Sequence, residues 1–333
     1  MSAKVELKIG GRVESDFDEL TIDSDLFVPA DAFGFVLAGQ TLSLPDSVQP
    51  LELVECSIAG EPVLSGVLDR IAFGVDSGLS LALSGRDLMG QIIDTQVPVQ
   101  HSVSLTLEAL IRKYVTGGDL AWVNLRSQIS TNHLKKVVAI EPGQSLYDPL
   151  NDLAEASDQW LTILPSGELW IGNPKDLPQP KSKPVIKLGV GGEQASDGEA
   201  ISYSHEFDAS NICSNLDYTG QTPSGSALST ELTDTRLGSK TRRHILAGSA
   251  LNQAEANLMA KREFRNKWLS FEDLSCTMRG FTYAGSPWAV GWQVQVESSL
   301  PRAAGSWIIT GRTFSRSSGD RTELRLKRLR EFS

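Results

Sequence analysis

The chain has 333 residues, 40% of them hydrophobic, so it is long enough for about two domains of roughly 150 residues and apolar enough to bury their cores. Its 41 acidic and 31 basic side chains give a net charge of −10, which disfavours a dedicated nucleic-acid binder, because such proteins neutralise phosphates with lysine and arginine. Three widely separated cysteines favour reduced thiols over a disulfide framework. The sequence shows neither the apolar stretch of a signal peptide nor a run of about 18 apolar residues, so a soluble protein that is not secreted is expected.

The first 97 residues alternate apolar and polar side chains in the manner typical of β-strands. Val5, Leu7 and Ile9 alternate with charged residues, which places the apolar groups on one face of a strand. Similar short runs follow at 33–37, 51–58, 62–68 and 79–83. Because glycines punctuate these runs where tight turns are needed, residues 1–97 are predicted to form a small antiparallel β-barrel or β-sandwich.

Residues 98–178 predict a compact α/β domain. One helical face is formed by Leu107, Leu110, Ile111 and Tyr114, and a second helix is expected after a capping Ser145. A hairpin follows, in which Trp160 and Trp170 are expected to face each other. The prolines at 174, 178, 180 and 184 then predict an interdomain linker.

The second half returns to strands, with one helix. Residues 179–248 are predicted to begin a second β-barrel and to include an exposed loop, since 219–243 is polar and rich in Ser, Thr and Gly. Residues 249–281 predict a helix-containing α/β segment whose helix is capped by Ser249.

Residues 282–333 predict a three-strand meander that completes the second barrel. Seven basic and two acidic residues lie between Arg312 and Arg330, which indicates a cationic strand edge on an otherwise acidic chain. The expected fold class is therefore α+β and β-rich.

No catalytic, cofactor-binding or metal-binding residues are predicted. The four histidines, at 101, 133, 205 and 244, are isolated from one another, and neither a nucleophile elbow nor a P-loop is present. An alternative is a cell-wall-degrading enzyme that uses carboxylates among Asp152, Glu155, Asp158 and Glu168. A solvated helix face explains the first three, so the chemistry favours a structural or binding role without catalysis.

Several sequence phrases occur in a characteristic order. They are CSIAGEPVLSGVL at 56–68, LSGRDLMGQIID at 83–94, PGQSLY at 142–147 followed by TILPSGELWI at 162–171, and VGWQVQV at 290–296 with WIIT at 307–310 and RTELRL at 321–326. In this order the phrases resemble the baseplate hub proteins of contractile phage tails, above all the Mu-like phage tail proteins. The broader group includes the late control D proteins and the hub module of secretion-system spikes.

The resemblance implies a homotrimer in which two similar β-barrels per chain, with α/β domains inserted between and within them, form a pseudo-sixfold ring. Such a ring would join the sixfold tail tube to the threefold central spike, and DNA would pass through it without specific binding. The protein would be made in the host bacterial cytoplasm and reside in the virion tail baseplate. The hub module of a secretion-system or tail-like bacteriocin spike is an alternative with the same fold.

Three places are candidates for the subunit interface. The first is a presumed edge strand with Val5, Leu7 and Ile9, and the second is a turn with Arg86 and Asp87. The third is the basic C-terminal strand, represented by Arg321, Arg325 and Arg328. Closed rings of this kind use heterologous contacts between copies.

Overall fold

The structure is a computed structural model that describes residues 3–38, 48–75, 79–97, 100–123, 125–129, 136–140, 143–189, 196–300 and 302–332. The N-terminal β unit consists of β1 (Val5–Ile9), β2 (Arg12–Glu14), β3 (Glu19–Asp25), β4 (Ala32–Ala38), β5 (Leu53–Ile58), β6 (Glu61–Val75) and β7 (Leu79–Asp87). Its alternation is as predicted, because Val5, Leu7 and Ile9 are buried while Lys8 is exposed.

The central unit mixes helices and short strands. It contains α1 (Leu88–Asp94), β8 (Gln100–Leu105), α2 (Leu107–Leu110, continued as a π-helix over Ile111–Thr116), β9 (Ser127–Ile129), β10 (Lys136–Ile140), α3 (Tyr147–Ala156), β11 (Trp160–Ile163) and β12 (Leu169–Gly172). Ser145 accepts a hydrogen bond from the Tyr147 amide just before α3, but the residue at the cap position is Leu146 and not the predicted Ser145. The leucine stripes of α2 and α3 share one core with the β11–β12 hairpin.

The hairpin register corrects one expectation. Trp160 lies opposite Gly172, and Trp170 lies opposite Thr162, so the two indoles are not a directly facing pair. Trp160 packs against Phe332 with ring centroids 5.8 Å apart, whereas Trp170 belongs to a cluster with Leu26. The register of the hairpin decides which residues face each other, and the turn sequence alone does not specify that register.

The C-terminal part begins after the proline-rich segment. Its elements are β13 (Val185–Leu188), β14 (Ala200–Phe207), β15 (Asn215–Gln221), β16 (Ala227–Thr233), β17 (Arg243–Ser249), α4 (Gln253–Leu269), β18 (Glu272–Arg279), β19 (Thr282–Tyr283), β20 (Ser286–Pro287), β21 (Gln293–Ser298), β22 (Gly305–Arg316) and β23 (Asp320–Arg328). Short 3-10 turns lie at Ala121–Val123, Pro174–Asp176 and Leu329–Phe332. Strands β21, β22 and β23 are antiparallel neighbours, which confirms the predicted meander.

Residues 219–243 are not simply an exposed loop, which corrects the prediction for 179–248. Strand β16 lies within them and pairs with β15, while β17 pairs with β15 on its other side. This separate three-stranded sheet covers α4 through a small core around Leu216, Tyr218 and Ala260. The prediction of a loop was based on the polar composition. These strands are polar because only one of their faces is buried, while Ser and Thr lie on the other. The helix also starts later than predicted, with Asn252 rather than Ser249 as its cap.

The N-terminal and C-terminal β units are joined into one sheet. Its order is β14-β18-β23-β22-β3-β4-β7-β6-β5-β1-β2, with β21 paired to β22 and β13 paired to β21. The junction is the antiparallel pair β3–β22, where Leu20–Asp25 lies against Gly311–Arg316. One core runs through both units and contains Leu7, Phe35, Trp307 and Phe314. None of the helices that the structure describes is both long and apolar enough to cross a bilayer.

The close packing of β4, β6 and β7 gives a first test. A Cβ atom on Gly85 would lie 2.0 Å from the Val67 carbonyl oxygen, whereas a Cβ on the neighbouring-strand Gly34 would meet nothing within 4 Å. We expect Gly85→Ala to lower the free energy of unfolding by roughly 1–3 kcal/mol, because backbone must move. The matched Gly34→Ala should change it by less than about 1 kcal/mol. Urea denaturation of both variants checks this, and equal losses would contradict the described strand spacing.

Candidate functional site

The junction between the two β units carries a cluster of ion pairs. Arg325 on β23 contacts Asp23 and Asp25 on β3, with N–O distances of 3.1 and 3.0 Å. Gly311 on the intervening strand leaves the space that this guanidinium occupies, since a Cβ there would lie 2.3 Å from Arg325 Nε. The cluster therefore ties three strands of the two units together.

Arg312 lies at the centre of the junction and is only 2% exposed. Its guanidinium donates hydrogen bonds to the Trp288 carbonyl oxygen at 3.0 Å and to Ser24 Oγ at 2.6 Å. Ser24 belongs to the N-terminal unit and Trp288 to the C-terminal part, so one side chain bridges both. A buried cation of this kind needs such partners, because leaving it unpaired costs several kcal/mol.

Two aspartates lie near this arginine. The Asp25 amide donates to Asp31 Oδ1 at 3.1 Å, and the Asp87 amide donates to the Asp31 carbonyl oxygen at 2.9 Å. Burial raises the pKa of Asp31 to about 6, although Ser24 and Arg312 oppose the rise. Burial also raises the pKa of Asp87 well above its usual value, and the charge of Asp31 adds to the effect.

These groups line a cavity of about 400 Å³. Its walls come from the N-terminal β unit, the turn of the β11–β12 hairpin, the proline-rich segment and the residues around Trp288. The proline-rich segment is not a free linker: Gln179 Nε2 donates to the Gly291 carbonyl oxygen, and Gln179 Oε1 accepts from the Gln293 amide. The cavity therefore lies where three parts of the chain meet.

The first group of predicted interface residues lies inside the fold. The side chains of Val5, Leu7 and Ile9 are buried in the shared core. Strand β1 is not an edge strand, because it pairs with β2 on one side and β5 on the other. The predicted edge position of this strand was therefore wrong, because strand order cannot be read from the alternation of one strand.

The second predicted group is not a turn. Arg86 and Asp87 end β7, and Asp87 caps α1 by accepting from the Met89 amide at 3.1 Å. Arg86 bridges Asp69 and Asp94, with N–O distances of 2.7 and 2.5 Å. The pair thus fastens the N-terminal unit to α1.

The third predicted group lies on β23, which is flanked by β18 and β22 and is therefore not an edge. Arg328 binds Glu272 at 2.7 Å and stacks over the Trp307 ring at 3.9 Å. With Arg325 occupied by Asp23 and Asp25, both cations are used within the chain. Arg321 lies at the start of the same strand, opposite Arg279. Whether any predicted interface residue touches another subunit stays a prediction.

The alternative carboxylates are partly engaged by arginines. Asp158 accepts two hydrogen bonds from Arg265, at 3.0 and 2.6 Å, and Glu155 pairs with Arg262 at 2.7 Å. Glu168 lies in the β11–β12 turn and accepts from Ser166 at 3.5 Å. In the described parts of the chain, no three His, Cys, Asp or Glu side chains are grouped so that they could hold a metal ion.

Sequence reasoning missed the centre of this junction, namely Arg312, Asp31 and Ser24. One signal was present: Arg312 is the only charged residue in the stretch from Trp307 to Phe314. A lone charge in such a stretch indicates a buried, partnered group. Its partners in the N-terminal unit, however, are distant in the sequence, with a separation of 288 residues for Ser24.

Comparisons with known proteins match this architecture. Residues 4–87 match the family described as Mu phage baseplate assembly protein GpP-like, N-terminal. The tail protein from Neisseria meningitidis MC58 is 24% identical, with a TM-score of 0.81, covering 100% of this chain and 98% of that one. The 43 kDa tail protein of prophage MuSo2 from Shewanella oneidensis is 17% identical, with a TM-score of 0.81, covering 99% and 100%. Comparison with curated proteins gives no match.

A more distant similarity extends to secretion systems. The E. coli c3393 protein, a component of the type VI secretion system, is 11% identical with a TM-score of 0.60, covering 96% of this chain and 76% of that one. The fold is thus one shared by phage tail and secretion-system proteins. Together with the family match over residues 4–87, this fold confirms the resemblance to the Mu-like phage tail and baseplate proteins. Within the chain, residues 4–87 carry the similarity to the GpP-like N-terminal domain.

The half-buried carboxyl of Asp31, whose pKa is raised, predicts a pH dependence of stability. Because the pKa of Asp31 is raised to about 6 in the folded protein, its stabilising contribution is complete below about pH 4 and is lost as the pH rises through 6. Asp31→Asn keeps the oxygen that accepts from Asp25 but cannot titrate. We expect the stability of the native chain relative to this variant to fall by on the order of 1–3 kcal/mol between pH 4 and 7.

Urea denaturation of both proteins at several pH values measures this difference. Asp16→Asn, at an exposed aspartate that does not line the cavity, is the control and should follow the native chain at every pH. Parallel curves for the native chain and Asp31→Asn would contradict the burial of this carboxyl.

Proposed function

We propose that this chain is the structural hub of a contractile phage or prophage tail baseplate and adapts the sixfold tail tube to the threefold central spike. The observation that carries the proposal is the match of residues 4–87 to a baseplate assembly family. The full-length fold similarity to two prophage-type tail proteins supports it. The hub acts by shape and assembly, without catalysis or a cofactor of its own.

The sheet gives physical support for a ring. The sheet contains seven strands of the N-terminal unit and six of the C-terminal part, and the two groups meet at the β3–β22 pair. The six strands are β13, β14, β18, β21, β22 and β23. Two β units of comparable size, joined side by side, are what a pseudo-sixfold ring of three chains requires. We propose that each closes as a barrel-like unit, with boundaries near 1–97 and 179–333, and that residues 98–178 and 249–281 supply the inserted α/β parts.

The free edges of this sheet suit cyclic assembly. Along its main path the sheet ends at β14 on one side and at β2 on the other, and β13 meets only the start of β14, through the bridge between Lys187 and Glu199. Both edges carry an exposed apolar side chain, Tyr203 on β14 at 36% and Val13 on β2 at 56%. A trimer requires two different, complementary surfaces on each copy, because a self-complementary surface gives dimers. We propose that the β14 edge of one copy adds to the β2 edge of the next.

The charge distribution agrees with DNA passing through without being gripped. The net charge is −10, and arginines such as Arg325 and Arg328 are paired within the chain. A protein that held DNA would need free cations facing the phosphates. The proposed partners are the tail tube, the spike and two further copies of this chain. The proposed place of assembly is the virion tail, after synthesis in the host cytoplasm.

The secretion-system or bacteriocin hub is a second candidate. The similarity to the E. coli c3393 protein favours it, because that protein is a type VI secretion component of related fold. The same ring would serve either machine. Imaging the particles that contain this chain separates the two, since a phage particle carries a DNA-filled head and the other machines do not.

The first test of the hub is its oligomeric state. We expect light scattering coupled to size-exclusion chromatography to give a trimer at micromolar concentration, and electron micrographs to show rings. A monomer without rings would contradict the proposal.

The edge contacts are tested by substitution. Tyr203→Lys combined with Val13→Lys places a charge on each free edge. We expect the dissociation constant of the trimer to rise at least tenfold, because apolar contact is lost and like charges meet. Ile245→Lys is the matched control, since Ile245 is 65% exposed but lies on β17 in the separate sheet. Equal effects of the edge and control variants on light scattering would exclude this edge-to-edge contact.

A further inference from the structure

The cavity at the junction is large enough for a ligand. Its volume of about 400 Å³ falls within the range of small-ligand pockets. Apolar side chains, including Leu26, Leu164, Leu177 and Trp292, form much of the wall. An apolar wall with a few polar groups is the usual composition of a binding pocket.

Two buried donors on the cavity wall lack acceptors. Arg312 Nε and Trp288 Nε1 have no hydrogen-bond partner among the described residues, although Arg312 is 2% and Trp288 1% exposed. Buried N–H groups are paired in the great majority of cases, because an unpaired one loses its hydrogen bonds to water without replacement. A ligand that fills the cavity should therefore supply a hydrogen-bond acceptor.

The charges of the wall select among acceptors. The lining contains four acidic residues and two basic ones, Arg312 and Lys181. Asp25 is paired with Arg325, while Asp31 already opposes the charge of Arg312. A carboxylate or phosphate would thus meet no excess positive charge, and an ammonium group has no acceptor to offer. A neutral carbonyl oxygen satisfies both requirements.

We propose that this cavity binds an uncharged segment of a partner protein, in which a backbone carbonyl accepts from Arg312 and Trp288 and an apolar side chain packs against Trp292. A peptide offers that carbonyl next to an apolar side chain, and its amide N–H can donate to the carboxyl groups of Asp31 and Asp87. Exposed Ser166 lies at the rim, where the segment would enter. The assignment follows from the cavity alone and does not depend on the ring.

The experiment follows the Trp288 indole N–H by NMR in the full-length protein, with the resonance assigned from its loss in Trp288→Phe. The probes are the blocked tripeptide acetyl-Gly-Leu-Gly-amide, the single blocked residue acetyl-leucinamide, anionic acetyl-leucine and cationic leucinamide. We expect the tripeptide to bind most tightly and to shift the Trp288 resonance, and both ionic probes to bind at least tenfold more weakly than acetyl-leucinamide.

Ser166→Trp should block the entrance and weaken tripeptide binding at least tenfold. Ser318→Trp, in the exposed turn between β22 and β23 and away from the cavity, should leave it unchanged. The proposal is overturned if no probe shifts the Trp288 resonance, if an ionic probe binds as well as the neutral one, or if both Trp variants behave alike. Equal affinities for the single residue and the tripeptide would assign the cavity to a small molecule instead of a protein segment.

Discussion

The burial of the Arg312 guanidinium constrains the whole chain. A cation that is 2% exposed must be surrounded by acceptors, and these come from Ser24 and Val63 in the N-terminal unit and Trp288 in the C-terminal part. Arg312 can reach them only if β22 lies directly against β3. The pairing of β3 with β22 therefore does two things at once. It joins the two β units into one sheet, and it gives the buried guanidinium its hydrogen-bond partners.

This arrangement explains why the junction is polar in an otherwise apolar core. Replacing a buried ion cluster by well-packed apolar residues is often neutral or stabilising, so stability alone does not account for it. Charged partners restrict the register, however, because Asp23 and Asp25 meet Arg325 only in one alignment of β3, β22 and β23. We infer that the polar junction selects one relative position of the two units among several that apolar packing would allow.

Local patterns predicted most of the elements. The alternation at Val5–Ile9, the leucine stripe of α3 and the C-terminal meander all depend on neighbouring residues, and all are present in the structure. Strand β16 was missed because its buried face is short and the rest of its side chains are polar. The resemblance to phage tail proteins depends on the order of the sequence phrases, a long-range property that composition does not carry.

The site was much less predictable than the elements, for the same reason. Val5, Leu7 and Ile9 suggested an edge because one strand's pattern does not identify its neighbours, and β2 and β5 cover β1 on both sides. Arg325 and Arg328 suggested a cationic surface because their partners, Asp23, Asp25 and Glu272, lie far away in sequence. The partner of a charged residue in a distant segment cannot be identified before the strand topology is known.

The junction and the proposed ring are linked by geometry. A heterologous contact closes into a ring only when the rotation between copies is a whole fraction of a turn, and otherwise it produces an open helical filament. Since adjacent strands are rotated by roughly −20 to −25° in ordinary sheets, the angle between the β14 and β2 edges accumulates across the sheet. A loose joint at β3–β22 would let that angle vary and would permit filaments. A joint fixed by Arg312, Arg325 and their carboxylate and carbonyl partners holds the angle constant, which a hub of defined symmetry needs.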